Sequence, residues 1–388
     1  MTRRGLAVAG VVLTAAALLA SCSTSGPGMA TEPSKSSRTT TPAPTPRETP
    51  AQAQTPAPST SSTGRASATA MTVADVYSFN RDLVLSVLAR HGSARALDTL
   101  SRLVRNKAGV SGVCHAIAHD LGHAALELAG GRVGDALTDR DDVCGGGFTH
   151  GVIEHALAES ADPGADMLNV CAPQQDGSCW HGVGHGLMFA SDMDMVRALA
   201  GCDRAPRPVL SSRCGEGVFM QLFSADLVGG HAEGHAEGSA EGPAAHGNSS
   251  RGARARDPIA RDPAAAREAC RNIGSPHDAP CWFYAPVVWL TVHPDDFAGG
   301  IEWCRGAGAG FPSTQCARGL GSRTVKFHPD DLSIGAQTCG AARELLDACV
   351  NGMGSYWSVH WEGAATPRDL CAHLPKGKAR RRCPTATA

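Results

Sequence analysis

From Cys171 onwards the cysteines fall into close couples, Cys171 with Cys179, Cys202 with Cys214, Cys270 with Cys281, Cys304 with Cys316, Cys339 with Cys349 and Cys371 with Cys383. The first member of a couple closes an amphipathic segment such as 165–171, the second opens another such as 179–188, and a loop of Pro, Gly and Ser lies between. Cys114, Cys144 and Cys281 begin looser copies, so segment starts recur every 30 to 35 residues except across an insertion after Cys214. Such a period belongs to helix hairpins that bury their apolar stripe only by stacking on their neighbours. The expected fold is all-α, a helix-hairpin repeat solenoid of about seven units stapled by disulfides.

The opening segments align on their leading cysteine: Cys179-Trp-His-Gly-Val-Gly-His, Cys214-Gly-Glu-Gly-Val-Phe-Met, Cys316-Ala-Arg-Gly-Leu-Gly-Ser and Cys349-Val-Asn-Gly-Met-Gly-Ser. A glycine three residues after the cysteine recurs in all four. Interior glycine costs a helix roughly 0.5 to 1 kcal/mol against alanine, so its recurrence implies close helix approach. Short-loop bridges within the couples offset that cost by about 2 to 3 kcal/mol each in a chain-entropy description. Cys114 and Cys144 have no partner in their own units. A Cys114–Cys144 bridge between neighbours is the preferred reading, with thiolate ligation of a metal as its rival.

The chain opens with Arg3 and Arg4, runs through the apolar stretch Leu6 to Ala20, and reaches Leu19-Ala20-Ser21-Cys22. The apolar run is shorter than the roughly 18 to 20 residues a membrane span needs, which fits a cleaved segment. Residues 1–22 thus resemble the signal peptide and lipobox of a bacterial lipoprotein. That resemblance implies a lipid (palmitate) on Cys22 and a mature chain anchored at the outer face of the cytoplasmic membrane. Residues 23–71, rich in Ser, Thr, Pro and Ala, are expected to be a disordered stalk. Cys22 aside, 14 of the 15 cysteines remain, an even number that suits disulfides in an exported protein. A formal net charge of −2 and 5% aromatic residues argue against a nucleic-acid surface.

Three histidine-bearing segments lie close together: Cys114-His115-Ala-Ile-Ala-His119-Asp-Leu-Gly-His123, His150-Gly-Val-Ile-Glu154-His155, and Cys179-Trp-His181-Gly-Val-Gly-His185. Imidazoles four apart share a helix face and can bind one ion, so His181 and His185 form a candidate pair. His115 and His123 would be about 12 Å apart along a helix, which requires either two ions or a supporting role for one histidine. His155 is rotated about 140° from His150, which ranks Glu154 above it as a ligand. The expected metal ligands are His115, His119, His150, Glu154, His181 and His185. His123 and His155 are placed in support or at a second ion, and Glu216, at the position aligned with His181, closes the ring. Later units carry Phe283, Arg318 and Asn351 there, so the site belongs to the N-terminal half. The competing explanation is a structural network of histidines bonded to neighbouring carbonyls.

The expected organisation is thus His-bearing repeats over 72–230, a disordered insertion over 231–265, and further repeats over 266–388. The insertion, with His231-Ala-Glu-Gly-His235 and His246, resembles in composition the metal-scavenging loops of exported zinc-binding lipoproteins, and drift in a disordered loop explains it equally well. Two functions compete. One is a metalloprotein holding zinc or iron, with Glu154 or Glu216 as base should it be a hydrolase, or with oxygen chemistry. Its arrangement resembles helical-repeat di-iron hydroxylases only in outline, because their His-Glu ligand pairs are not reproduced. The other is a metal-free repeat module binding a protein, peptide or glycan through Trp282, Trp289, Trp357 or Trp361, for which burial in the core is the competing reading. No His-Glu-x-x-His, Gly-x-Ser-x-Gly or phosphate-loop motif occurs.

Overall fold

The computed structural model describes residues 72–107, 109–138, 143–171, 177–224, 258–329, 331–360, 367–374, 376–377 and 380. The signal segment, the stalk, residues 231–257 of the insertion, Trp361 and Cys383 lie outside them. Among the described residues all regular structure is helical. Helix α1 (Val73–His91) starts on a capping box in which Thr72 and Asp75 satisfy each other's backbone N–H groups. Helix α2 (Ser93–Asn106) buries Ala96, Leu97, Leu100 and Val104 at helical spacing, and packs on α1 and on α3 (Val110–Leu128). A short α4 (Val133–Ala136) precedes α5 (Gly147–Ala158).

The couples then alternate. Helix α6 (Pro163–Cys171) leads to α7 (Gly177–Ala190), α8 (Met195–Cys202) to α9 (Pro208–Ser224), and α10 (Pro263–Asn272) to α11 (Asp278–Tyr284) with α12 (Pro286–Val292). Helix α13 (Phe297–Arg305) leads to α14 (Phe311–Phe327), α15 (Leu332–Ala341) to α16 (Leu346–His360), and α17 (Pro367–His373) follows. Leading helices α8, α10, α13 and α15 each start on an aspartate, Asp194, Asp262, Asp296 or Asp331, whose carboxylate accepts a first-turn backbone N–H. The turn Pro258–Ala260 and the start of α10 fall inside 231–265, so the expected disordered insertion ends earlier than its sequence suggested. The proline and aspartate clusters there are helix-start signals rather than loop filler.

Bridges join Cys171–Cys179, Cys202–Cys214, Cys270–Cys281, Cys304–Cys316 and Cys339–Cys349, with Cα separations of 5.4 to 5.8 Å. Cys114–Cys144 ties α3 to the residues just before α5, which removes both sulfurs from metal ligation. The seventh expected pair, Cys371–Cys383, has Cys383 outside the described residues. Titration of denatured, unreduced mature protein should find fewer than about one free thiol per chain; several free thiols would contradict the pairing.

The second helices of the couples pack side by side in chain order, α3, α5, α7, α9, α11, α14 and α16. The row also curls back, since α14 touches α3 and a Cβ on Gly112 would sit 3.5 Å from the Lys326 carbonyl. Glycines set the spacing. A Cβ on Gly184 would run into the carbonyl of Cys214 on the next helix, and one on Gly217 into that of His181. The same reciprocal approach joins Gly122 to Phe148 and Gly151 to His119, and again Gly321 to Cys349 and Gly352 to Arg318. Backbone contact between helices is possible only where no side chain intervenes, which is the compensation the glycine penalty requires.

Those contacts fix a common register. His119-Asp-Leu-Gly-His123, His150-Gly-Val-Ile-Glu154, His181-Gly-Val-Gly-His185, Glu216-Gly-Val-Phe-Met220, Arg318-Gly-Leu-Gly-Ser322 and Asn351-Gly-Met-Gly-Ser355 are equivalent pentads. Cys114 in α3 and Cys144 just before α5 sit about one turn further from the pentad than the later cysteines do, so alignment on cysteine misplaces both helices. The core lies between the helix layers, with Phe148, Ile153, Leu157, Met188, Phe219 and Phe223 fully buried. Trp180, Trp282, Trp303 and Trp357 are buried, and Trp289 is half-buried with its Nε1 donating to the Asp296 carbonyl. Trp282 and Trp357 therefore serve the core and are not available as partner anchors.

Candidate metal centre

The first residue of each pentad and the last lie one helical turn apart on the same face. Stacking α3, α5 and α7 at glycine-set spacing therefore brings His119, His150 and His181 into one row and His123, Glu154 and His185 into the next. His115, one turn before His119, joins them. Ring centroids are 4.8 Å apart for His115–His119, 5.3 Å for His115–His150, 4.5 Å for His150–His181, 5.0 Å for His181–His185 and 5.0 Å for His119–His185. All of these side chains are buried.

Three overlapping groups offer ligand atoms within 4.8 Å of one another: His115, His119 and His150; His150, His181 and His185; and His119, His123 and Glu154. Zinc–nitrogen bonds of about 2.0–2.1 Å in a tetrahedral array imply N···N separations of roughly 3.4 Å, so a modest contraction suffices. The middle group is the best prepared. His150 Nδ1, His181 Nε2 and His185 Nε2 are buried without a hydrogen-bond partner among the described residues. Their opposite ring nitrogens are engaged. His185 Nδ1 lies 2.9 Å from Gln221 Oε1 and so donates to it, the Ser178 hydroxyl lies 3.2 Å from His150 Nε2, and Glu216 Oε2 lies 3.8 Å from His181 Nδ1. Outer partners of this kind fix the tautomer and leave the other lone pair for a metal. His115 follows the pattern, its Nδ1 being 2.8 Å from the Cys144 carbonyl.

Electrostatics support the same assignment. Burial, reinforced by the surrounding imidazoles, holds His150 and His185 well below the usual imidazole range. Burial also lowers His181, although Glu216 pulls the other way. These rings are neutral near pH 7, the form that binds metals. Glu154 is buried, which opposes its ionisation, but His119 at 3.3 Å and His123 at 3.1 Å outweigh burial and hold the carboxyl well below its usual range. Burial likewise disfavours charge on His123, and the Glu154 bond overcomes it to raise that imidazole.

Sequence placed His123 in support or at a second ion. The structure puts it in direct contact with Glu154, because His123 is the pentad residue equivalent to Glu154 and His185. His155 stacks on His123 with ring centroids 5.1 Å apart, and its Nε2 is turned to Glu127 at 3.8 Å and Glu159 at 3.7 Å. Glu216 is held by Arg213 at 2.8 and 3.0 Å and lines the cavity beside the cluster, whereas Glu154 is not among the cavity's lining residues. Sequence reasoning missed Ser178 and Gln221, which alignment on the pentad would have brought beside His150 and His185.

The cavity, of about 590 Å³, has His115, His150 and His181 among its lining residues. Comparison with protein-family models, curated proteins and solved structures finds no match.

Proposed function

We propose that this chain is a lipid-anchored, extracytoplasmic metalloprotein whose helix-hairpin repeats, about seven in a curled solenoid, hold zinc or iron on the faces of α3, α5 and α7. The observation that carries the reading is the set of three converging, buried, unpartnered nitrogens on His150, His181 and His185. Leaving such atoms unsatisfied in a purely structural network would cost about 1–3 kcal/mol each, whereas a metal satisfies them together. The two further groups, one completed by His115 and the other by Glu154, suit a second ion or an exchange of ligands within one centre.

The nitrogen-rich donor set with one carboxylate is chemistry for zinc or iron rather than for calcium or magnesium. A bound ion would supply Lewis acidity to whatever enters the cavity. Glu216 is the carboxylate placed to take a proton there, kept ionised by its bonds to Arg213 and by His181 at 3.8 Å. Glu154, enclosed by three histidines, instead balances charge.

Mature protein spanning 72–383, exported into an oxidising compartment and purified without a His-tag or chelator, should carry about one or two equivalents of a transition metal by elemental analysis. Less than about a tenth of an equivalent after attempted reloading would end the metal reading. Membrane attachment is checked separately: Cys22→Ser should release the full chain from the membrane fraction, and unchanged partitioning would exclude lipid on Cys22.

A further inference from the structure

We propose that the part of the cavity built around Arg323 and Lys326 on α14 is an oxyanion subsite that takes the phosphate or carboxylate group of a small organic ligand, with the rest of that ligand directed toward the metal centre. The proposal rests on the metal reading only for the last clause.

Arg323 is 4% exposed and Lys326 8% exposed, and both line the cavity. No carboxylate lies within ion-pair distance of either among the described residues. Arg323 Nε and Nη2 are buried without a hydrogen-bond partner in good geometry, its Nη1 donates to the Ser322 hydroxyl at 3.2 Å, and the Tyr284 hydroxyl is its other polar neighbour. Its guanidinium lies instead over Tyr284, 4.8 Å from the ring centroid, and near Phe283 at 5.5 Å. Burial lowers the affinity of Arg323 for its proton and brings Lys326 down to about 7, with Arg323 adding to the effect.

Two buried cations without a counter-ion are costly in a folded chain, and an anion entering from the cavity is the natural partner. Arg318 adds a third cation at the rim. Its Nη2 donates to Ser355 at 3.3 Å, and its Nε has no partner. Arg318 stands at the pentad position that carries His119, His150 and His181 in the first units, so one structural position provides candidate metal ligands in those units and positive charge in a later unit lining the same cavity. The planar fork of Arg323 suits two oxygens of one phosphate or carboxylate, and the Lys326 ammonium adds a point charge. Phe283 and Tyr284 offer flat apolar surface to an organic body.

Calorimetric titration with inorganic phosphate and, separately, with acetate tests this at constant ionic strength on metal-loaded and metal-stripped protein. Wild type should bind at least one of the two in both forms. Arg323→Gln and Lys326→Met should each weaken binding on the order of 10- to 100-fold, with metal content unchanged, while exposed Arg95→Gln should have no effect. Preference for phosphate or for acetate identifies the group. The subsite is overturned if neither anion binds stripped protein, or if Arg323→Gln and Lys326→Met bind like wild type. Anion binding by a protein that never holds metal would leave the subsite standing and remove the metal reading alone.

Discussion

Replacing His150 or His181 with alanine is expected to lower transition-metal content about tenfold or more, with the protein still folded by circular dichroism. His150 belongs to two of the three ligating groups, and His181 shares the best prepared of them. Each substitution also removes one of the three buried, unpartnered nitrogens that converge there. His155→Ala is the control, since its ring only stacks on His123 while its Nε2 is turned to Glu127 and Glu159 and joins none of the three ligating groups. Deletion of 231–246 is the second control and should leave content near wild type. Should that deletion abolish metal while His150→Ala and His181→Ala keep it, the ion belongs to the histidine-rich insertion and the helical cluster is structural.

Gly217→Ala is expected to destabilise metal-stripped protein by about 2–4 kcal/mol. A methyl group there collides with the backbone carbonyl of His181, and relief requires α7 and α9 to move apart along their contact. Helix propensity acts the other way, favouring alanine by about 0.5–1 kcal/mol, so a net loss isolates the cost of close approach. Gly134→Ala in α4, where a Cβ meets nothing within 4 Å, should be neutral or slightly stabilising. Urea unfolding in the presence of chelator gives both numbers. An unfolding midpoint for Gly217→Ala at or above wild type would show that the glycines do not set helix spacing. Because His181 rides on the displaced backbone, the variant should also lose metal affinity when reloaded.

Much of the all-helical architecture was legible because its signals are local. Cysteine couples marked where one helix ends and the next begins, and six of the seven expected bridges join the cysteines that sequence paired. The aspartates before α8, α10, α13 and α15 are start signals of the same kind. His115, His119, His150, Glu154, His181 and His185 were legible as candidates from i, i+4 spacing and repetition. His123 was left between support and a second ion because of its distance from His115 along the helix; its contact with Glu154 depends on register, which Cys114 does not mark because a cysteine can slide one turn along its helix and still reach its partner. The glycine that meets a neighbouring backbone cannot slide, so Gly122 and Gly151 carry the true register. The end of the insertion was misjudged because Pro and Asp mark helix starts as readily as loops.

Sequence by itself determined the helices, their pairing through cysteine, and the residue types available for metal binding, since each depends on groups a few residues apart. Only the tertiary structure decided which turn of one helix faces which turn of the next, because register is fixed by backbone contact at glycine between residues some thirty positions apart. It likewise decided that the row curls until α14 meets α3. That closure brings Arg323 and Lys326 to the same cavity as histidines about 140 to 210 residues away, a relation that no local pattern encodes.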